Sequence, residues 1–289
     1  RSIRKFKLMD YKTAIDKGTS LLRKNSILNA SLDAELLLSI SLDKTREEIL
    51  LNLENQICHE DVNNYINLIK RRKKNEPVSQ ISGKKFFWKY DFKVNKNVLT
   101  PRYETELMVE EILKIYKHTN NINILDIGTG SGCIIISLLK EKSKWKGSGI
   151  DISKLAIKMA KINAKIQHIE NRIKFINSDI DNIYNNKYDL IVSNPPYIDK
   201  IGYNNLDLSV KGYEPSEALF GGNNGTIIIE KVIKQSKFIL KNNGLLAMEI
   251  GQGQYFKVSK ILKNNRFRIS KVIKDYQKIK RCIIARKVN

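Results

Sequence analysis

The sequence predicts an α/β fold, a doubly wound and mostly parallel twisted sheet with a small helical bundle ahead of it. Three observations carry that expectation. A strand-like run, Asn123–Ile127, passes through a glycine-rich turn into a helical pattern over residues 133–142, which is the nucleotide-binding start of a doubly wound sheet. From there to about residue 263, short apolar strands alternate with helical segments, and such alternation folds through right-handed crossovers. Before that half of the chain, over residues 8–74, apolar positions recur at helical spacing only.

Taken in order, residues 11–24 place Ala14, Ile15, Leu21 and Leu22 along a helix, and helices over 32–40 and 46–53 follow. Thr45 and Glu48 open the last of these at capping-box spacing. Val62, Tyr65, Ile66 and Ile69 keep the helical period up to Lys70-Arg71-Arg72-Lys73-Lys74, expected to be a solvated helix C-terminus whose cations suit the helix dipole. Pro77 and Gly83 interrupt the helices, and residues 84–94 alternate as a β-hairpin does. Thr100-Pro101 opens the next helix, threonine as cap and proline in the first turn. Further strands are expected at Lys146–Asp151, 172–176, Tyr188–Ser193 and 245–250, with a terminal β pair from Phe267–Lys274 and 282–285. Residues 199–224 show little periodicity and are expected to be a loop insertion over the site, as a lid or substrate clamp.

The turn is Gly128-Thr129-Gly130-Ser131-Gly132. A dinucleotide fingerprint needs glycine at its first, third and sixth positions. Here the sixth is Cys133, and the last glycine falls one place earlier, with Asp126 two places ahead of the turn. That favours S-adenosylmethionine, because no pyrophosphate then has to rest on the helix N-terminus and the glycines admit the methionine part of the cofactor. Asp151 follows Gly132 at the end of the next strand, near the spacing of about 20 for a ribose-binding carboxylate. Asp179, after the third strand, can accept from the adenine amino group, and Ile180 can cover the ring. A lone aspartate more commonly caps a helix; one polar group at each successive strand end points instead to a ligand at the carboxyl edge of the sheet.

Tyr188–Ser193 delivers Asn194-Pro195-Pro196-Tyr197 to that same edge. The bland reading is a strand-ending turn. The chemical one is a rigid, carbonyl-rich loop that grips a planar –NH2 group. Asn194 offers its side-chain oxygen, Pro195 a backbone carbonyl narrowed by two fixed φ angles, and Tyr197 a flat face.

The chain resembles the release-factor glutamine methyltransferases. The likeness is carried by Asp33-Ala34-Glu35-Leu36-Leu37-Leu38, Glu76-Pro77-Val78-Ser79-Gln80-Ile81-Ser82-Gly83, Phe87-Trp88, Leu99-Thr100-Pro101-Arg102 and Thr105-Glu106. It continues through the glycine turn, Asn194 to Ile198, Glu214-Pro215, Leu219-Phe220-Gly221-Gly222 and Glu249-Ile250-Gly251. Tyr103 stands where the family usually has proline, and the tail at 275–281 lacks its usual glycine. The resemblance implies a Rossmann-like, class I S-adenosylmethionine-dependent methyltransferase fold. Residues 1–75 would be the substrate-docking helical bundle, 76–99 a β-hairpin linker and 100–289 the methyltransferase domain. The implied reaction methylates the side-chain amide nitrogen of glutamine in the Gly-Gly-Gln motif of class I peptide chain release factors. S-adenosylmethionine would lie against Gly128 to Gly132, Asp151, Asp179, Ile180 and Asn194, and the substrate against Asn194, Pro195, Pro196 and Tyr197. The tetrapeptide is shared with adenine-N6 and other amine methyltransferases of nucleic acids, which stand as the alternative. A basic, non-enzymatic RNA-associated module is a third reading, which the cofactor carboxylates oppose.

Composition bounds the classes. The chain has 289 residues, 42% hydrophobic and 28% charged, and no apolar run nears the ~18 residues of a membrane span. Arg1 to Lys7 is basic without a following apolar stretch and is not read as a secretory signal, while an organellar address is left open. Cys58, Cys133 and Cys282 with three scattered histidines suggest reduced thiols, a cytoplasmic setting and no metal site. The net charge of +22 accompanies a wealth of Lys, Asn and Ile, a bias that AT-rich coding produces without selection; a weak nucleic-acid or ribosome contact stays open. The protein is expected to be a monomer.

Overall fold

The computed structural model describes residues 9–184 and 187–288; the basic start, Arg1 to Lys7, lies outside them. The chain divides into two units, Arg1–Gly83 with Leu208–Tyr213, and Lys84–Asp207 with Glu214–Asn289.

In the first unit, β1 (Met9–Asp10) leads into α1 (Tyr11–Arg23), followed by α2 (Ala30–Leu42), α3 (Arg46–Leu51), β2 (Gln56–Ile57), α4 (His59–Arg72) and α5 (Val78–Ser82). The side chain of Asp10 accepts from Thr13 N at 2.7 Å and starts α1. Tyr11, Ala14, Ile15, Gly18 and Leu22 form its buried stripe, the period of a helix with one face in a core. The capping box at α3 is present, Thr45 accepting from Glu48 N at 3.1 Å and Glu48 accepting from Thr45 N at 2.7 Å. Two expectations are corrected. The segment is not helices alone, because Met9 pairs with Ile57 and Asp10 with Gln56, tying its two extended ends together. The arginines at the end of α4 are not simply solvated. Packing of α4 on α2 turns Arg72 to Asp33 at 2.7 Å, and Arg71 reaches Glu76 at 2.5 Å.

The second unit opens with the hairpin β3 (Lys84–Phe87) and β4 (Tyr90–Lys93). Phe87 and Phe92 are fully buried, edge to face with centroids 6.0 Å apart. Then come α6 (Tyr103–Ile115), β5 (Asn123–Ile127), α7 (Cys133–Glu141), β6 (Lys146–Asp151), α8 (Lys154–Ile166), β7 (Ile173–Asn177), β8 (Tyr188–Ser193) and α9 (Lys200–Asn204). The short α10 (Leu208–Lys211) belongs with the first unit, and α11 (Ile227–Ile239), β9 (Leu240–Glu249), α12 (Tyr255–Asn264), β10 (Phe267–Lys274) and β11 (Lys280–Lys287) complete the second. Residues 199–224, expected as a loop, thus carry α9, α10 and a 3-10 turn at Ser216–Ala218. These helices are too short for their periodicity to stand out in sequence. The start of α6 is also corrected. Thr100 does not cap it, since its N–H points to Glu214 Oε1 at 3.4 Å and the helix begins after Arg102.

The sheet runs β10-β11-β9-β8-β5-β6-β7, parallel except for β11, which is antiparallel to β9 and β10. Apolar clusters cover both faces, one around Ile124, Ile135 and Leu190, the other around Leu125, Ile191 and Ile233. This is the class I methyltransferase fold with a helical unit ahead of it. The chain winds outward from β5 to β6 and β7, then returns to β8 on the other side, so strand order reverses between β5 and β8. Ligands of open α/β sheets bind in the crevice at such a reversal. Register makes the placement specific. Ile127 pairs with Ile150 on one side and Ser193 on the other, Asp151 pairs with Asn177, and Ser193 with Met248. The next residues along, Gly128, Asn194 and Glu249, therefore emerge level with Asp151 and Asn177, and Ser178 follows one place further.

Candidate active site

A cavity of about 610 Å³ opens at those strand ends. Gly128, Thr129, Gly130 and Ser131 form its floor. Gly128 N and Thr129 N both bond Ile150 O at 2.9 Å, which folds the turn against β6. Gly132 does not line the cavity. It ends the turn at φ +81°, where a Cβ would sit 2.8 Å from Ile136 Cδ1, so glycine is what lets α7 start beneath the floor. Asp126 is fully buried and accepts from Thr129 Oγ1 at 2.8 Å, while its other oxygen has no partner. Burial pushes its carboxyl up to about 7.

Asp151 lines the cavity from the end of β6. It accepts from Gly130 N and Ser153 N, each at 2.9 Å. Burial raises its carboxyl, and these two backbone donors pull it back. Asp179 and Ile180 form the adjoining wall. The partner of Asp179 lies 52 residues away, beyond any local pattern. Lys231, on α11, reaches its Oδ1 at 2.8 Å and also pairs with Asp181. The hydrogen bond from this ammonium holds the Asp179 carboxyl below the usual range.

At the other end, Asn194 and Pro196 line the cavity, while Pro195 is buried and Tyr197 half-buried, neither of them among its lining residues. Ser193 Oγ donates to Ile127 O at 2.8 Å and welds the loop to β5. Asn194 Nδ2 donates to Thr105 Oγ1 at 3.2 Å, and Thr105 Oγ1 donates to Glu249 Oε2 at 2.6 Å. The Tyr197 hydroxyl, which burial keeps from ionising, donates to Glu249 Oε1 at 3.0 Å. Gln254 Nε2 holds Tyr197 O at 2.9 Å and Gly225 O at 3.0 Å. Gly221 packs directly on the loop, since a Cβ there would meet Pro196 O at 2.6 Å. Sequence reasoning placed Asn194 and Tyr197 here and missed Glu249, Gln254 and Lys231 as parts of the site. Glu249 and Gln254 did carry a signal, a carboxylate and an amide flanking a strand-ending glycine at Gly251.

Residues 103–207 match the family model for the methyltransferase small domain and residues 13–83 that for the PrmC N-terminal domain. The release factor glutamine methyltransferase of Fusobacterium nucleatum is 39% identical over 275 residues, covering 94% of this chain and 77% of that protein. That of Clostridium acetobutylicum is 36% identical over 96% of this chain and 98% of its own length. This chain belongs to the release factor glutamine methyltransferase family. A bifunctional methyltransferase of Rickettsia prowazekii, 35% identical, contains the likeness in 57% of its length. Among solved structures, the ribosomal protein L11 methylase of Lactobacillus delbrueckii superposes with a TM-score of 0.50 at 19% identity, over 65% of this chain and 81% of that one, a likeness of fold. Around the cavity, Asp151 ends β6, Asp179 follows β7, the glycine turn follows β5, and the anchored carboxamide of Asn194 follows β8. Among the described residues no group of three or more His, Cys, Asp or Glu could hold a metal ion, and no helix is long and apolar enough to cross a membrane.

Proposed function

We propose that this protein transfers a methyl group from S-adenosylmethionine to the side-chain amide nitrogen of the glutamine in the Gly-Gly-Gln motif of a class I peptide chain release factor. The observation that carries the reading is the orientation of Asn194 on the cavity wall. Its nitrogen is committed to Thr105, which leaves its carbonyl oxygen for an incoming –NH2. The names of the relatives give the substrate class, and the helical unit is the docking domain in this reading.

The cavity fits the methyl donor. Asp151 keeps lone pairs beyond the two taken by Gly130 and Ser153, enough to accept from ribose hydroxyls. Asp179 and Ile180 suit an adenine ring, and the glycine floor leaves room for the methionine part. S-adenosylmethionine supplies a methyl group already activated by its positive sulfur. The chain must therefore align an amide nitrogen, a poor nucleophile because its lone pair is delocalised into the carbonyl. In this reading Asn194 Oδ1 and the Pro195 carbonyl accept the two N–H groups, while Tyr197 shields the flat amide from water. Held near-attack geometry supplies roughly 7–11 kcal/mol, and each acceptor about 1.5–3 kcal/mol as positive charge builds on nitrogen. The methylated, protonated amide sheds its proton readily, so no strong base is required.

The test incubates the protein with methyl-labelled S-adenosylmethionine and a release factor, wild-type or with the motif glutamine changed to alanine. Label on the wild-type substrate alone supports the reading. Equal label on both sinks it, and label on RNA or DNA instead favours the nucleic-acid alternative.

A further inference from the structure

Asn194 and Tyr197 both depend on one buried carboxylate. Glu249, at the end of β9, is 3% exposed, and Thr105, between it and Asn194, is 2% exposed. Both oxygens of Glu249 are used, Oε2 by the Thr105 hydroxyl and Oε1 by the Tyr197 hydroxyl. A threonine hydroxyl has one hydrogen to give. Thr105 gives it to Glu249, so only a lone pair faces Asn194, and the Asn194 amide must present its –NH2 to Thr105. Its oxygen is then directed away, free for another donor.

We propose that Glu249 is a positioning residue which, through Thr105, sets the hydrogen-bond polarity of Asn194, and with the same carboxylate fixes Tyr197. The site then shows an acceptor, not a donor, to the substrate –NH2. The inference rests on the glutamine-amide reading and gives a role to a side chain that need not touch the substrate.

Glu249→Gln is nearly isosteric yet reverses the chain of hydrogen bonds. The new amide oxygen accepts from Tyr197, and its –NH2 donates to Thr105. The freed Thr105 hydrogen then turns to Asn194, whose amide flips and sets –NH2 against –NH2. The opposite placement of the new amide leaves the Tyr197 hydrogen buried without an acceptor, which is costly.

The experiment compares wild-type, Glu249→Gln, Thr105→Val and Thr105→Ser. It reads kcat on a release factor, S-adenosylmethionine affinity by calorimetry, thermal midpoint, and the Asn194 side-chain amide by NMR in the protein without substrate. Glu249→Gln is expected to lose on the order of 100-fold in kcat, with cofactor affinity within a few fold. Its Asn194 amide resonances should shift. Thr105→Val should lose a similar factor, Thr105→Ser should recover most of it, and Glu249→Gln added to Thr105→Val should cost nothing further. Wild-type kcat in Glu249→Gln, or unmoved Asn194 resonances, overturns the proposal. If Glu249→Gln does not fold, equal activity of Thr105→Val and Thr105→Ser overturns it in the same way. If the wild-type protein leaves release factors unlabelled, the substrate reading fails, and the NMR comparison still decides the polarity of Asn194.

Discussion

Asp151 joins the glycine turn, the start of α8 and the cavity through one carboxylate, which receives Gly130 N and Ser153 N. Asp151→Ala should weaken S-adenosylmethionine binding at least ~10-fold, because charge-assisted hydrogen bonds of about 1.5–3 kcal/mol are lost; calorimetry that returns a wild-type dissociation constant would remove it from the ribose role. Asn194→Ala should divide the duties differently. Turnover should fall by at least ~100-fold while cofactor affinity stays within a few fold, as single-turnover assays beside calorimetry would reveal. Asp126 bears on stability. Its carboxyl lies near 7 when folded against a reference of 3.8, so the folded state binds the extra proton between those values. Stability is then lost as pH rises through that window, by an amount on the order of 4 kcal/mol. Urea melts at pH 5, 6 and 7 should show a flatter profile for Asp126→Asn than for the wild-type chain.

Among elements, the stretch from β5 through the turn to α7 was legible because its signals are local: an apolar strand, positive-φ glycines and a helical period lie within about twenty residues. The capping box at Thr45 was legible for the same reason. The start of α6 was not. Thr100 and Pro101 have the residue types of a helix start, but a bond to Glu214, 114 residues away, claims Thr100. The couplings of Thr105 to Asn194 and to Glu249 span 89 and 144 residues, and no window along the chain contains them. Tyr103 illustrates the local rules again. It is the first residue of α6, 59% exposed, behind an Arg102 in extended conformation at φ −104° and ψ 144°. Proline suits both that position and that predecessor. Tyr103→Pro should raise stability by about 0.4–1 kcal/mol through the unfolded chain, and a thermal melt lower than wild type would contradict it.

Over the whole molecule, the charge of +22 spreads across the sequence, and its densest run has two arginines engaged by Glu76 and Asp33. Any hold on RNA should therefore be non-specific. Affinity for a mixed-sequence RNA should drop by roughly 10³-fold or more between 50 and 200 mM salt, as expected for several phosphate contacts, while methyl transfer to a protein substrate persists. A salt-resistant, sequence-selective affinity would restore the nucleic-acid alternative. That the sheet is mostly parallel was legible, since helical segments recur between most of its strands, whereas its strand order was not; the pairing of β1 with β2 was hidden because two-residue strands leave no period to detect.

The path of the backbone has a practical corollary. Leu208–Tyr213 groups with residues of the first unit although sequence flanks it on both sides with the second. No lone scissile bond can separate the halves into intact pieces, and grafting the helical part onto another methyltransferase would require transplanting two stretches of polypeptide together.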